Sequence, residues 1–274
     1  MMIADALQSL FAEAPLRIAH PHRDVLRVTG KDSARWLQAL VTADVLSMPT
    51  GAQCYALLLE KKGRIVADLY MQRTLEGYDL SIAQEVFENV EQVFERHIIM
   101  EDVELTRVEL GVLIETFEAV AVSGGKYPRG RAAACFTWET SDSSALDATS
   151  PEGRGVRAVL GVPAFGVEFD TRDYPQEAGF GVPEVSMSKG CYLGQEVVCM
   201  IQMRGSVSRA LHVVTFEQQA PVGDLKNGDV QAGSIRGVGQ IAEHSLGFAM
   251  LKRASAEPGT RLADAEGRAC TVVA

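Results

Sequence analysis

The chain has 274 residues, with 26 Lys and Arg against 36 Asp and Glu, for a formal net charge of −10. A hydrophobic share of 47% and a charged share of 23% are ordinary globular values, which excludes wholesale disorder and fibrous architectures. The acidic balance argues against a protein that coats nucleic acid by charge, so an anionic ligand must be held by a few placed cations.

The N-terminal stretch MMIADALQSLFAEAP has no basic leader, and Asp5 and Glu13 interrupt its apolar positions. It reads as a short amphipathic helix rather than a signal peptide. No uncharged apolar run approaches about 18 residues, so no membrane span is expected. Cys54, Cys135, Cys191, Cys199 and Cys270 are odd in number, widely spaced and without a C-x-x-C pair. That pattern speaks against a disulfide framework or a metal site and fits a reducing cytoplasm.

In chain order, VLRVTG (Val25–Gly30) reads as a strand, and KDSARWLQALVT as a helix with Asp32 or Ser33 at its start. AQCYALLLE and RIVADLYMQRT are strand-like and meet at Lys61–Gly63 in a hairpin. The spacing of Val86, Phe87, Val90, Val93 and Phe94 predicts a helix over 84–97. The runs VELTRVE, AVAVSG and AAACFTW follow as strands, so the class is α+β with antiparallel pairing. Glu139–Gly155, rich in Ser, Asp and Gly, reads as an exposed loop between lobes. From about Ser208 onward, short strands and turns predict a small β-barrel or sandwich. The expected division is 1–207 and 208–274.

The chemistry concentrates in SKGCYLGQEVVCMIQMRG, Ser188 to Gly205. A thiol just ahead of a helix start feels the positive end of the helix dipole, and Lys189 adds a nearby cation. Cys191 is therefore the best candidate for a reactive sulfur. The alternative, a small buried cysteine at a tight turn, stays open on residue types alone. Gly190 and Gly194 suit close backbone approach, and Glu196 falls in the first helical turn.

The run K-G-C-Y-L-G-Q-E at Lys189–Glu196 resembles the signature of the YgfZ-like folate-binding family. That family is a branch of the aminomethyltransferase (glycine-cleavage T-protein) superfamily. RAVLGVPAFGVEF, YPQEAGF, LRVTGKDSARWLQALVTADV and GRIVADL are similar to its other segments, so the likeness spans nearly the whole chain. The resemblance implies a three-lobed aminomethyltransferase-like fold with a C-terminal β-barrel. It implies binding of tetrahydrofolate or a one-carbon derivative, and a role in assembling or repairing iron–sulfur clusters in client enzymes, with tRNA modification among the processes touched. Cys191 would be the functional thiol, with Lys189, Gln195 and Glu196 around it. Arg157 and Asp68 would match a ligand-region arginine and a cavity acid. After QEVV the family commonly carries Ala-Arg where this chain has Cys199 and Met200; if that arginine holds an anionic tail, the contact is missing here or supplied by Arg204 or Arg209. Folate and iron–sulfur client or assembly proteins are the implied partners, and a monomer without direct nucleic-acid or membrane contact is expected. A folate-dependent aminomethyltransferase and a non-catalytic folate sensor are the competing readings.

The other motifs read as structure. His20 and His22 flank Pro21 and lack a further ligand, which suggests a surface loop. GVGQIA (Gly237–Ala242) resembles a dinucleotide fingerprint but has no room for a βαβ unit, so a barrel hairpin is expected. Lys126, Arg129 and Arg131 read as a solvated turn, and Trp36 and Trp138 as core or cavity wall. The segment around Cys191 carries Lys189, Arg204 and Arg209 against Glu196 alone. It is a mildly basic stretch on an acidic body.

Overall fold

The computed structural model describes residues 11, 15–118, 127–140, 144–216, 220–241 and 244–273. The N-terminal helix, the strand AVAVSG and Lys126 lie outside them. The chain forms β1 (Leu16–His20), β2 (Arg23–Thr29), α1 (Ser33–Gln38), β3 (Gln53–Leu59), β4 (Ile65–Arg73) and β5 (Gly77–Ala83). There follow α2 (Phe87–Glu95), β6 (Glu104–Val108), β7 (Val112–Glu118), β8 (Tyr127–Arg129), β9 (Ala132–Glu139) and β10 (Leu146–Asp147). After α3 (Pro151–Leu160) and α4 (Gln195–Met203) come β11 (Arg209–Phe216), β12 (Asp224–Asn227), β13 (Val230–Ile241), β14 (His244–Lys252), β15 (Arg261–Ala263) and β16 (Ala269–Val272). Among the described residues, no helix is long and apolar enough to cross a membrane.

The class is α+β, as the alternation of elements implied. One sheet runs β3-β4-β5-β2-β6, a second runs β10-β1-β7-β9-β8, and β11–β16 close a six-stranded barrel. Pairing is antiparallel except between β1 and β10.

Period-two alternation decides what each sheet face does. In the first sheet Leu26, Val28, Ala56, Leu58, Ala67, Leu69, Met71, Leu80 and Ile82 pack with Trp36, Leu37, Phe87, Val90 and Phe94 of α1 and α2. The opposite face presents Arg23, Tyr55, Asp68, Tyr70 and Ser81, all joined by hydrogen bonds or ring contacts. Ile18, Leu113, Phe117, Ala134 and Phe136 of the second sheet share one core with Tyr55, Leu57 and Tyr70 of the first. The alternation that buries Ile18 and Leu113 sends His20 and Glu115 to the same face. That core therefore contains charge.

The stretch expected as a loop at Glu139–Gly155 instead holds β10 and the start of α3. Ser150 caps this helix by accepting from the Gly153 N–H at 3.0 Å, Pro151 opens it, and Gly161 closes it with φ 71°. These are standard start and stop signals inside a Ser- and Gly-rich composition. Helix α3 then lies against β13. A methyl at Gly155 would come within 2.5 Å of the Gln240 carbonyl oxygen, and one at Gly239 would strike the Gly155 nitrogen. The glycines of GVGQIA thus serve helix-on-barrel packing, in the hairpin of β13 and β14.

Gly155→Ala should lower stability by about 1–3 kcal/mol through overpacking. Gly190→Ala, with nothing near the added methyl, should stay within about 0.5 kcal/mol. Urea unfolding of the two variants checks this, and equal effects would contradict the packing argument.

Candidate functional site

A cavity of about 360 Å³ opens where the two sheets meet the 164–167 segment, and His20, Arg23, Asp68, Tyr70 and Phe165 are among its walls. Asp68, 2% exposed, accepts from Arg23 Nη1 at 3.0 and 3.1 Å and from the Tyr55 hydroxyl at 2.9 Å. Arg23 also donates to the Asp68 and Ser81 carbonyls at 3.1 and 2.8 Å, tying β2, β4 and β5 together at one point. Burial, then the Asp68 charge, pushes the Tyr55 hydroxyl far above its ordinary pKa, so it remains a donor. Burial, then Glu115, does the same for Tyr70.

Beside this pair sits a second one. Glu115, wholly buried, accepts from the Tyr70 hydroxyl at 2.9 Å, lies 3.2 Å from His20 Nε2 and pairs with Arg129 at 3.4 Å. The Arg129 guanidinium stands 3.7 Å from the Tyr55 ring centre, within cation–π range. Arg129 is therefore buried at the centre and not on a solvated turn, while Arg131 remains exposed at the surface. His20 likewise is 8% exposed and belongs to the cavity wall rather than a surface loop. Its ring lies on the inward face of β1, the same face as Ile18.

Arg157 is 1% exposed and does not line the cavity. It grips Glu168 with two hydrogen bonds of 2.6 and 3.0 Å and donates to the Ala148 carbonyl at 3.1 Å. Glu168 Oε2 in turn accepts from the Ala164 N–H at 2.8 Å. Arg157 thus positions the wall segment around Phe165 through Glu168.

Cys191 occupies a separate groove of about 770 Å³, lined also by Trp36, Leu40, His97, Met100 and Leu193. This lining has no residue in common with that of the Asp68 cavity. Cys191 is the one exposed thiol among the five cysteines, so the tight-turn alternative of burial does not hold. The helix start behind it depends on two glycines. Gly194 has φ 80°, and a methyl there would come within 2.5 Å of the Glu60 carbonyl and 3.2 Å of Gly63. Gly63, with φ 77°, would in turn meet Val197 at 2.8 Å. The hairpin tip and the signature are packed backbone against backbone.

Lys189 points back into the protein. Its ammonium donates to the Val41 and Ala43 carbonyls at 2.6 Å each and lies 5.1 Å from the Tyr192 ring centre. Burial pulls its pKa down to about 8, against the opposing pull of Asp44 and Cys54. Gln195 is half-buried, while Glu196 and Arg204 are exposed on α4. Arg209 bonds Glu177 at 2.9 Å and Asp173 at 3.0 Å, joining the barrel to the 170–177 segment. The structure therefore brings Lys189 and Cys191 together in one loop and sets Asp68 in the other site. Sequence reasoning missed Arg23, Tyr55, Tyr70 and Glu115. A carboxylate between Leu113 and Phe117, in register with their apolar face, was the available signal for Glu115.

The GCVT N-terminal domain model matches residues 21–129. The tRNA-modifying protein YgfZ of Sodalis glossinidius is 23% identical, over 81% of this chain and 80% of that protein. An iron–sulfur cluster assembly factor IBA57 homolog, mitochondrial, from Mycosarcoma maydis is 22% identical over 72% of this chain, which spans 56% of that protein. Among solved structures, the glycine cleavage system aminomethyltransferase T from Bartonella henselae superposes with a TM-score of 0.76. At 13% identity, with 95% of this chain and 85% of that chain covered, the likeness shows the fold.

Arg157→Met should cost about 3–5 kcal/mol, because Glu168 would be left buried without its cation; denaturant unfolding reads this directly. Lys189 gives a pH signature. Below pH about 8 it is protonated in both states; between about 8 and 10.5 only the unfolded chain keeps the proton. Stability from this group therefore rises with pH across that window. The stability gap between wild type and Lys189→Met should shift in favour of wild type from pH 8 to 10.5 and stay constant below pH 8. A gap that stays flat throughout would contradict the burial of the ammonium.

Proposed function

We propose that this YgfZ-like chain of the aminomethyltransferase superfamily binds tetrahydrofolate in the Asp68 cavity and serves the assembly or repair of iron–sulfur clusters in client enzymes through Cys191. The observation that carries the reading is the cavity itself. Phe165 and Tyr70 give it apolar ring surface, and Asp68 and His20 give it a few fixed polar groups, the combination a flat heteroaromatic ligand needs. A bound reduced folate supplies one-carbon chemistry at its ring nitrogens. This chain contributes Asp68, held by Arg23 and Tyr55 in one orientation, as an acceptor for ligand N–H groups. Arg157 shapes the wall without touching the ligand. Arg204, exposed at the end of α4 and not part of the cavity lining, would be the cation for an anionic tail.

Cys191, facing solvent from a groove that mixes apolar walls with Asp32, Arg35 and Glu101, is the thiol that meets a client or its sulfur-bearing group. Lys189 braces the loop that presents it, and Gln195 and Glu196 form the first turn behind it. The names of the YgfZ and IBA57-like relatives, which carry tRNA modification and cluster assembly, support this assignment.

The aminomethyltransferase reading keeps one specific support, a carboxylate with a histidine beside the same cavity, which is acid–base equipment. Turnover of methylene-tetrahydrofolate with a glycine-cleavage carrier protein would favour that reading over ours.

Calorimetric titration with tetrahydrofolate should show binding by the wild type and at least tenfold weaker binding by Asp68→Asn. No binding by the wild type would sink the folate assignment. In a deletion strain, Cys191→Ala should fold normally, keep tetrahydrofolate affinity and fail to restore activity of cluster-dependent enzymes. Full restoration would remove Cys191 from the function.

A further inference from the structure

The buried imidazole of His20 is not explained by the sheet that carries it. Its Nε2 lies 3.2 Å from Glu115 Oε2, its ring centre is 5.4 Å from that of Tyr70, and the side chain borders the cavity. Glu115 is held on its other sides by the Tyr70 hydroxyl at 2.9 Å and by Arg129 at 3.4 Å. A carboxylate paired with a buried guanidinium is an acceptor only. The proton of a neutral His20 therefore belongs on Nε2, donated to Glu115, and Nδ1 carries the lone pair. The tautomer of a histidine is set by the bond its other nitrogen makes.

We propose that His20 is the ligand-facing acceptor of the cavity, with Glu115 fixing its tautomer so that Nδ1 accepts a hydrogen bond from a ring N–H of the bound ligand. This rests on the folate reading, since a reduced pterin carries such ring N–H groups. Glu115, Tyr70 and Arg129 are positioning residues that act through His20. Protonation of His20 converts Nδ1 from acceptor to donor and removes the contact.

The groups acting on this ring come from several elements. They are Glu115 of β7, Tyr70 and Asp68 of β4, Arg23 of β2, Arg129 of β8, Arg157 of α3, Asp147 of β10 and the neighbouring His22. Burial, the largest influence, lowers the His20 pKa below 6.5; Glu115 raises it, and Arg23 and Arg157 lower it further. The ring is thus held neutral at pH 7, in the form that accepts.

The test uses the full chain and tetrahydrofolate. His20→Gln keeps an amide donor for Glu115 but has no acceptor at the Nδ1 position. It should bind about 5–10-fold more weakly at pH 7.5, the loss of one hydrogen bond. Because the ligand titrates too, the ratio of wild-type to variant affinity is read from pH 8 down through the His20 titration, located on the wild type by its imidazole ¹⁵N shifts. That ratio should fall toward one as the pH drops through the His20 pKa. In parallel, imidazole ¹⁵N shifts of the ligand-free protein should report a protonated Nε2 and a bare Nδ1. Equal affinities at pH 7.5, a ratio independent of pH, or a protonated Nδ1 would overturn the proposal. Failure of the wild type to bind at any pH would instead overturn the folate reading, and the two failures are distinguishable.

Discussion

Two buried ion pairs, Arg23–Asp68 and Arg129–Glu115, stand back to back in the core shared by the two sheets. Everything else about the site follows from the need to satisfy them. Charges taken out of water cost several kcal/mol each unless partners and hydrogen bonds replace the lost hydration. Here the replacements come from different strands: Tyr55, the Ser81 carbonyl, Tyr70 and His20. A one-residue slip of β4 would turn Asp68 and Tyr70 to the opposite face, among Leu26, Leu80 and Phe87, and leave Arg23 and Glu115 without them. The cluster contributes specificity of register more than raw stability, because an apolar core of equal volume would serve stability as well.

That rigidity defines the cavity. Asp68 is presented by a guanidinium that also holds two backbone carbonyls, so its orientation does not depend on a ligand being present. The same device recurs one layer out, where Arg157 clamps Glu168 and Glu168 holds the turn that carries Phe165. In each case an arginine that could be taken for a ligand contact spends its donors on the protein. Fixed polar groups around an apolar slot lower the cost of organising a site at binding.

The elements were readable from the sequence wherever one face was apolar. Strand alternation in QCYALLL and IVADLYMQR, the helical spacing of Phe87, Val90 and Phe94, and the turn-rich C-terminal quarter all led to the observed α+β architecture with its barrel. Helix α3 escaped notice because its composition is that of a loop; its cap, its opening proline and its closing glycine were the signals that mattered. The site was only half legible. Cys191 could be named from its dense motif, and Asp68 only through the family resemblance of its hairpin. His20 and Arg129 were misread because residue type suggested surface, and only the pairing of β1 with β7 and the stacking on Tyr55 bring them inside. Buried charge is a property of tertiary pairing, and no local pattern encodes the partner.

The distance in function between the two candidate sites has a structural cause. The segment from Ser186 to Gly194 is fastened to the first sheet, by Lys189 on the Val41 and Ala43 carbonyls and by the contact of Gly194 with Gly63. That hairpin also carries Asp68, five residues beyond Gly63 on β4. The groove around Cys191 is walled by α1, the 97–101 segment and the signature loop, while Asp68 on β4 faces the other cavity. The β3–β4 hairpin thus touches both sites, through Gly63 against Gly194 at its tip and through Asp68 on its strand.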